Sequence, residues 1–177
     1  MRTALSIASV AILALMAASG TALAQGSGAE ARLKQLNITL PADSSPAANF
    51  VNSVQTGKLL FLSGNTPGGQ WPLKGKVGKD LTVEQGYQSA RQTGLIMLSK
   101  VRTALGSLDR VKRIVKVLGM VNSADDFSDQ PKVVNGFSDL MVEVFGEGIG
   151  KHARSAVGMA GLPGNAPVEV EMIVEVE

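Results

Sequence analysis

The most restrictive feature of this 177-residue chain is its complete lack of cysteine. Without a thiol, the chain cannot form disulfides, bind zinc through sulfur or use a cysteine nucleophile. It also has a single histidine, His152, which cannot build a typical zinc site alone. A lone histidine beside the start of a strand is more often structural than catalytic. The composition therefore excludes thiol chemistry and leaves carboxylates and basic side chains as candidates.

Excess charge of either sign is also missing. The chain has 17 Lys and Arg against 15 Asp and Glu, a formal net charge of +2. Nucleic-acid and acidic membrane surfaces attract strongly basic proteins, so this balance gives no electrostatic reason to expect either partner. Lys112, Arg113 and Lys116 form a small basic cluster without interleaved aromatics, which favours a solvated face. With no histidine pair either, the sequence argues against RNA cleavage.

One long apolar run is present, and it lies at the N-terminus. Arg2 precedes the almost wholly apolar residues 4–18, and a small-x-small pattern ends at Ala24. This pattern predicts a signal peptide over residues 1–24, and thus a periplasmic or secreted protein with no membrane span after cleavage. Removing 24 of 177 residues leaves 153, with a net charge of about +1 once Arg2 is gone. We expect an N-terminal extension over 25–48 and one domain over 49–177.

The remaining sequence predicts strands and helices in alternation. A Thr82–Gln85 capping box begins the first long helix and Gly106 follows its end. The predicted helices are a short one at 30–36 and long ones at 82–105 and 129–146; the predicted strands are 49–54, 58–64, a short one at 73–77, and 111–122. This order favours an α+β fold with helices packed on one face of a sheet. The other face then needs a cover, which assembly would supply.

The C-terminal residues predict two further strands, 154–163 and 168–177. Gly164, Asn165 and Pro167 between them are turn residues, so we expect a hairpin. The second strand alternates strictly, with one apolar face and one face rich in glutamate. A hairpin would place Arg154 on the strand next to these carboxylates.

Two interpretations of this arrangement stay open on the residues alone. Arg154 either clamps the carboxylate of a small acid or forms a cross-strand ion pair with Glu169 or Glu171. One of these glutamates is either a general acid or base, or part of a solvated face. The glycine-rich residues 64–69 could cradle an anion, but they lack the lysine and spacing of a phosphate loop.

Several short motifs occur in a fixed order along the chain: Leu62-Ser63-Gly64, Asp109-Arg110-Val111, Asp126-Phe127, Val134-Asn135, Arg154-Ser155-Ala156-Val157, Leu162-Pro163 and Val168-Glu169-Val170-Glu171. Together they resemble the RidA (YjgF-type) family of 2-iminoacid deaminases, also described as L-PSP endoribonuclease-like. The resemblance covers roughly residues 32–177. Residues 115–123 and 129–135 look like the longer-loop branch of that family.

The resemblance implies a chorismate-mutase-like (bacillary type) mixed sheet with two helices on one face. It also implies a homotrimer with a barrel-like core and sites between subunits. Arg154 matches the arginine that holds a substrate carboxylate, and Glu169 matches the glutamate that acts on the attacking water. The matching substrate-binding positions are Phe50, Ser63, Asn135 and Ala156. Phe50 replaces a tyrosine and Ala156 a frequent cysteine, which leaves the substrate undefined.

The function that this resemblance implies is hydrolysis of small 2-imino acids to 2-keto acids and ammonia. It would need no metal and no organic cofactor, and the partner would be a small carboxylate-bearing ligand. The alternative is a non-catalytic, trimeric small-carboxylate-binding or stress-related, chaperone-like protein of the periplasm. Turnover of an imine distinguishes the two functions.

Overall fold

The fold is a five-stranded mixed sheet with helices on one side. A computed structural model describes residues 28–46 and 48–177, so the predicted signal peptide 1–24 lies outside the described residues. The helices are α1 Ala29–Gln35, α2 Val83–Leu105, α3 Gln130–Phe145 and α4 Glu147–Gly150; the strands are β1 Ser53–Thr56, β2 Leu59–Asn65, β3 Val111–Asn122, β4 Ala153–Met159 and β5 Val168–Val176. Short 3₁₀ turns lie at Leu108–Arg110 and Pro163–Asn165.

The strand order across the sheet is β1-β2-β5-β3-β4. β3 and β4 are parallel and joined through α3, whereas the other neighbours are antiparallel. The predicted α+β class, with its mixed sheet and helices on one face, is confirmed.

Helices α2 and α3 lie against one face of the sheet and against each other. The Thr82 side chain accepts from the Gln85 N–H, and the Gln85 side chain accepts from the Thr82 N–H, so the predicted capping box is present. The helices approach very closely at Gly136, where a Cβ would overlap the carbonyl oxygen of Tyr87. The largest fully buried side chains of the core include Met97, Leu98, Ile114, Val117, Phe137, Leu140 and Met141.

The predicted C-terminal hairpin is wrong. β3 lies between β4 and β5 and bonds to both, so these two strands never pair. Alternation in a sequence indicates which face a side chain occupies, but it does not indicate which strand is the neighbour. The β-branched-rich β3, buried along its helix face, takes the central position instead.

Two predicted strands also differ in the structure. The first begins at Ser53 rather than at residue 49, and Phe50 and Val51 before it are exposed. The short strand predicted at 73–77 is absent. Val77 forms only isolated bridges with Leu81 and Ser123, because the glycine- and proline-rich segment around it turns too often to make a ladder.

The other sheet face carries no helix in the described part of the chain and is partly apolar. Val54 and Phe61 are exposed there, and they line a groove of about 600 Å³ with Lys116, Leu118, Glu171 and Ile173. We call this helix-free face of the sheet the open face.

Among the described residues, no helix is both long and apolar enough to cross a membrane.

Candidate functional site

Arg154 lies on the outermost strand, β4, and points toward the helices. It pairs in register with the fully buried Val117 of β3, and residues at one register position share a sheet face. Its Nη1 donates to Asn135 Oδ1 at 2.9 Å and to Ser138 Oγ at 3.0 Å, both on α3. Its Nη2 lies 3.4 Å from the Pro131 carbonyl oxygen. Neutral acceptors on one helix therefore hold the guanidinium.

The charge of this half-buried guanidinium has no carboxylate partner in the part of the chain that the structure describes. Among residues 28–46 and 48–177, no Asp or Glu oxygen lies within 4.0 Å of Arg154. The ion pair with Glu169 or Glu171, one of the two sequence-based interpretations, is therefore wrong for the single chain. A cation that keeps its full charge and has free N–H groups is suited to bind an external anion.

Two other predicted site residues lie beside Arg154. Asn135 is exposed at the surface of α3 and orients the guanidinium through its side-chain oxygen. Ala156 lies two residues along β4, on the same face, and packs against the core. Arg154, Asn135 and Ala156 thus form one half of the candidate site, which we call the arginine half-site.

Glu169 lies elsewhere, on β5. It is in register with Met120, three residues from the Val117–Met172 pair, and so it points to the open face rather than toward the helices. A β-bulge between Leu62 and Asn65 brings β2 close to it, and a Cβ on Gly64 would overlap Glu169 Oε1. Glycine at position 64 thus leaves room for the carboxylate.

The environment of Glu169 favours its protonated form. Burial raises the pKa of this carboxyl group, and the nearby negative charge of Glu171 raises the pKa further. A raised pKa brings proton exchange nearer to neutral pH, where a general acid or base works best.

Phe50 and Ser63 border one cavity together with Gly64, the residue next to the Glu169 carboxylate. We call Glu169, Phe50 and Ser63 the glutamate half-site. Ser63 Oγ donates to the Val51 carbonyl at 2.6 Å, which ties the segment that carries Phe50 to β2. Phe50 is 56% exposed. Phe50, Ser63 and Gly64 border a cavity of about 140 Å³. This half-site is therefore open to solvent in the single chain.

Lys100 lies behind the same cavity and was not predicted from the sequence. Its side chain is 5% exposed, and its Nζ donates to Asp43 Oδ1 at 3.0 Å and to the Ser44 carbonyl at 3.1 Å. This buried ion pair fixes residues 43–44 against α2 and so shapes one wall of the glutamate half-site. The one weak signal in the sequence is a charged residue between the apolar Leu98 and Val101.

The two half-sites do not meet within one chain. Arg154 faces the helices from the sheet edge, whereas Glu169 faces the opposite way from β5, with β3 between them. The expectation that they lie on neighbouring strands is wrong because it depended on the hairpin.

Among the described residues, no three His, Asp or Glu side chains are grouped as metal ligands would be.

Comparison with known proteins agrees with this fold. The model of the family described as "YjgF/chorismate_mutase-like, putative endoribonuclease" matches residues 30–176. The match covers most of the chain, including both half-sites. The chain therefore belongs to this family.

Three relatives show how wide the family is. Protein TCP17 of Trypanosoma cruzi is 48% identical over 149 residues, covering 82% of this chain and 92% of that protein. A 2-iminobutanoate/2-iminopropanoate deaminase of Dermatophagoides farinae is 29% identical over 140 residues, covering 79% of this chain and 95% of that protein. Among solved structures, the protein Atu1372 of unknown function from Agrobacterium tumefaciens is 41% identical in sequence. Its crystal structure matches with a TM-score of 0.75 over 84% of this chain and 91% of that chain. Family membership thus includes imine deamination but does not specify it for this chain.

Proposed function

We propose that this protein hydrolyses small 2-imino acids to 2-keto acids and ammonia. One observation carries the proposal: Arg154 presents a half-buried, charged guanidinium that neutral acceptors hold and that no carboxylate of the described residues neutralises. Every 2-imino acid carries a carboxylate, and a guanidinium binds a carboxylate through two parallel hydrogen bonds. The deaminase relative from Dermatophagoides farinae supports the choice of reaction.

Glu169 would supply the proton transfers of this reaction. With its carboxylate ionised, it would take a proton from water as the oxygen attacks the imine carbon. It would then return that proton to the nitrogen, which gives a carbinolamine. In the second step the carboxylate would carry the hydroxyl proton to the nitrogen as the C–N bond breaks, so that ammonia leaves and the keto group remains. A carboxyl group with a raised pKa suits this exchange, because it both accepts and donates readily near neutral pH.

Arg154 and Glu169 would meet between two copies of the chain. The open face has exposed apolar residues and a groove, as a surface covered by assembly would. If three copies packed their open faces around a common axis, the β4 edge of one copy would lie beside the β1–β2 side of the next. The arginine half-site of one copy would then approach the glutamate half-site of its neighbour. The homotrimer is part of the proposal.

Export is part of the proposal as well. The predicted signal peptide would direct the mature protein to the periplasm or outside the cell. Any imine substrate would then have to form in that compartment or enter it. Small 2-imino acids hydrolyse spontaneously in water, so the protein would act on short-lived compounds close to their source.

The direct test is the decay of an imine made in the assay. An amino-acid oxidase generates 2-iminobutanoate or 2-iminopropanoate, and semicarbazide traps whatever imine remains. We expect the purified protein without its signal peptide to reduce the trapped fraction in proportion to its concentration. Boiled protein is the control.

A rate equal to that of buffer would overturn the proposal. If the protein then still bound a 2-keto acid saturably in calorimetry, the alternative of a non-catalytic carboxylate binder would replace it. A protein that shows neither turnover nor binding would contradict both functions.

A further inference from the structure

A continuous chain of hydrogen bonds lies behind Arg154. The Gly150 carbonyl oxygen is 2.7 Å from His152 Nδ1, and His152 Nε2 is 3.0 Å from Ser138 Oγ. Ser138 Oγ is in turn 3.0 Å from Arg154 Nη1. Three groups, one each from the end of α4, the approach to β4 and α3, are thus linked in series to one guanidinium.

The direction of each bond in this chain follows from its first member. A carbonyl oxygen only accepts, so His152 Nδ1 carries the hydrogen. In the neutral ring Nε2 is then an acceptor, and the Ser138 hydroxyl donates to it. The lone pairs of the Ser138 oxygen are left facing Arg154 Nη1, which donates to one of them. The ring thereby fixes the orientation of a hydroxyl group that would otherwise rotate.

The surroundings keep the imidazole in that neutral form. Burial lowers the pKa of His152; the hydrogen bond to the Gly150 carbonyl opposes this, and the Arg154 charge lowers the pKa further. Other nearby charged groups in the described chain are engaged elsewhere. Lys151 pairs with Glu147 at 2.8 Å, and Asp139 accepts from the Tyr87 hydroxyl at 3.0 Å.

The arrangement also decides which N–H groups of Arg154 remain available. Both hydrogens of Nη1 are used, one by Asn135 Oδ1 and one by Ser138 Oγ. Nε has no partner among the described residues, and Nη2 has only the long contact with Pro131. Nε and Nη2 point to the same side of a guanidinium and together match the two oxygens of a carboxylate.

Close backbone packing holds the Gly150 carbonyl, the first group of this hydrogen-bond chain, in place. A Cβ on Gly150 would lie 2.5 Å from the Met141 carbonyl oxygen, so only glycine allows this approach to α3. On α3, Asn135 and Ser138 are three residues apart and therefore share a helix face. The Phe137 ring meets the imidazole edge-on, with centroids 6.4 Å apart.

We propose that His152 and Ser138 are positioning residues that hold Arg154 for bidentate recognition of a substrate carboxylate. The inference rests on the proposed role of Arg154 and adds two residues to it. Neither residue touches the substrate in this account. Their effect is to fix one end of the guanidinium so that Nε and Nη2 stay aimed at the ligand.

The test measures the binding of 2-ketobutyrate by calorimetry at pH 7. We expect Ser138→Ala and His152→Phe each to weaken binding about tenfold, which corresponds to about 1.4 kcal/mol. His152→Gln should recover most of the affinity, because its amide oxygen can accept from the Ser138 hydroxyl. Ser107→Ala is the matched control, since that serine only caps a 3₁₀ turn before β3. Circular dichroism melts check that each variant is folded.

The single histidine gives a second readout, independent of affinity. In untagged protein one imidazole titrates by proton NMR, so His152 needs no assignment. Arg154→Gln should raise the pKa of His152, because it removes the nearby positive charge. Bound 2-ketobutyrate should also raise the pKa in the wild type, because its carboxylate offsets that charge.

The possible failures are distinct. Wild-type protein that binds no 2-keto acid would contradict the proposed function, and the positioning role with it. If the wild type binds and folded Ser138→Ala and His152→Phe bind equally well, only the positioning role is overturned. A His152 pKa that does not respond to Arg154→Gln would also contradict the hydrogen-bond chain.

Discussion

Replacing Arg154 with alanine is expected to lower kcat/KM for 2-imino acids by about 100-fold or more. The substrate would lose both its charge partner and the bidentate contact that aligns it with the attacking water. Arg154→Lys should retain part of the binding but little of the alignment, because an ammonium cannot form the two parallel bonds. The lysine variant should therefore lose more in kcat than in KM.

The matched control for this loss is Arg91→Ala. Arg91 lies on α2 and pairs with Glu143 at 2.7 Å on the protein surface, so its removal should cost no more than about 1 kcal/mol of stability and no activity. Equal kcat/KM for Arg154→Ala and wild type would show that the guanidinium does not bind substrate. In that case the hydrogen bonds to Asn135 and Ser138 would have a structural role alone.

Replacing Glu169 with glutamine is expected to reduce kcat by about 100- to 10,000-fold, the range typical of lost acid–base catalysis. An amide keeps the size of the side chain but cannot accept and return the proton. Binding of a 2-keto acid should change little, because Arg154 holds the carboxylate. Glu175→Gln, the same change on the same strand and the same face, should keep full activity.

The Glu169→Gln variant should also be more stable than the wild type at pH 7. The folded-state pKa of Glu169 is raised, so the ionised carboxylate destabilises the fold at pH values above both its folded and unfolded pKa. At pH values below the pKa of Glu169 in the unfolded chain, the carboxyl group is protonated in both the folded and the unfolded state, so it no longer destabilises the fold. The stability gain of Glu169→Gln should therefore shrink as the pH falls through this range, which urea unfolding at several pH values measures.

Glu171 offers a further check on the same carboxyl group. Its negative charge contributes to the raised pKa of Glu169, so Glu171→Gln should shift the acid limb of the kcat profile to lower pH. An unshifted limb would mean that another group titrates in the reaction. Unimpaired turnover by Glu169→Gln would contradict the assigned role outright.

Local signals in the sequence were sufficient for much of the fold. Capping residues at Thr82 and Gly106 set the ends of α2, and the β-branched run 111–122 coincides with β3. The strict alternation of residues 168–176 correctly indicates one buried face of β5. Each of these features depends on residues close together in the chain, where propensity and periodicity are informative.

The pairing of the last strands could not be predicted from such signals. A polar turn between two strands favours a hairpin, yet a central strand with two hydrogen-bonding edges can separate them. This one error changed the interpretation of the site. It placed Arg154 beside the glutamates, whereas the structure places it on the other side of the sheet, held by α3. Ser138 and Lys100 were missed because their contacts join distant segments.

The resemblance to a family contributed what residue patterns could not. It singled out Glu169 among the alternating glutamates and related Phe50 and Ser63 to the same cleft. The structure places Glu169, Ser63 and Phe50 around one strand pair, and Arg154, Asn135 and Ala156 around another edge. A site divided in this way needs two copies, which is the central claim of the proposal.

Mixing two inactive variants tests that claim most directly. Arg154→Ala chains retain Glu169, and Glu169→Gln chains retain Arg154, so a neighbouring pair can rebuild one complete site. After the two variants are unfolded together and refolded at equal concentration, about a quarter of the sites should combine both wild-type residues if subunits assemble at random. We expect about that fraction of wild-type activity from the mixture, and only about 1% or less from either variant refolded alone. A mixture as inactive as its components, with trimers shown to contain both variants, would contradict a site formed between copies.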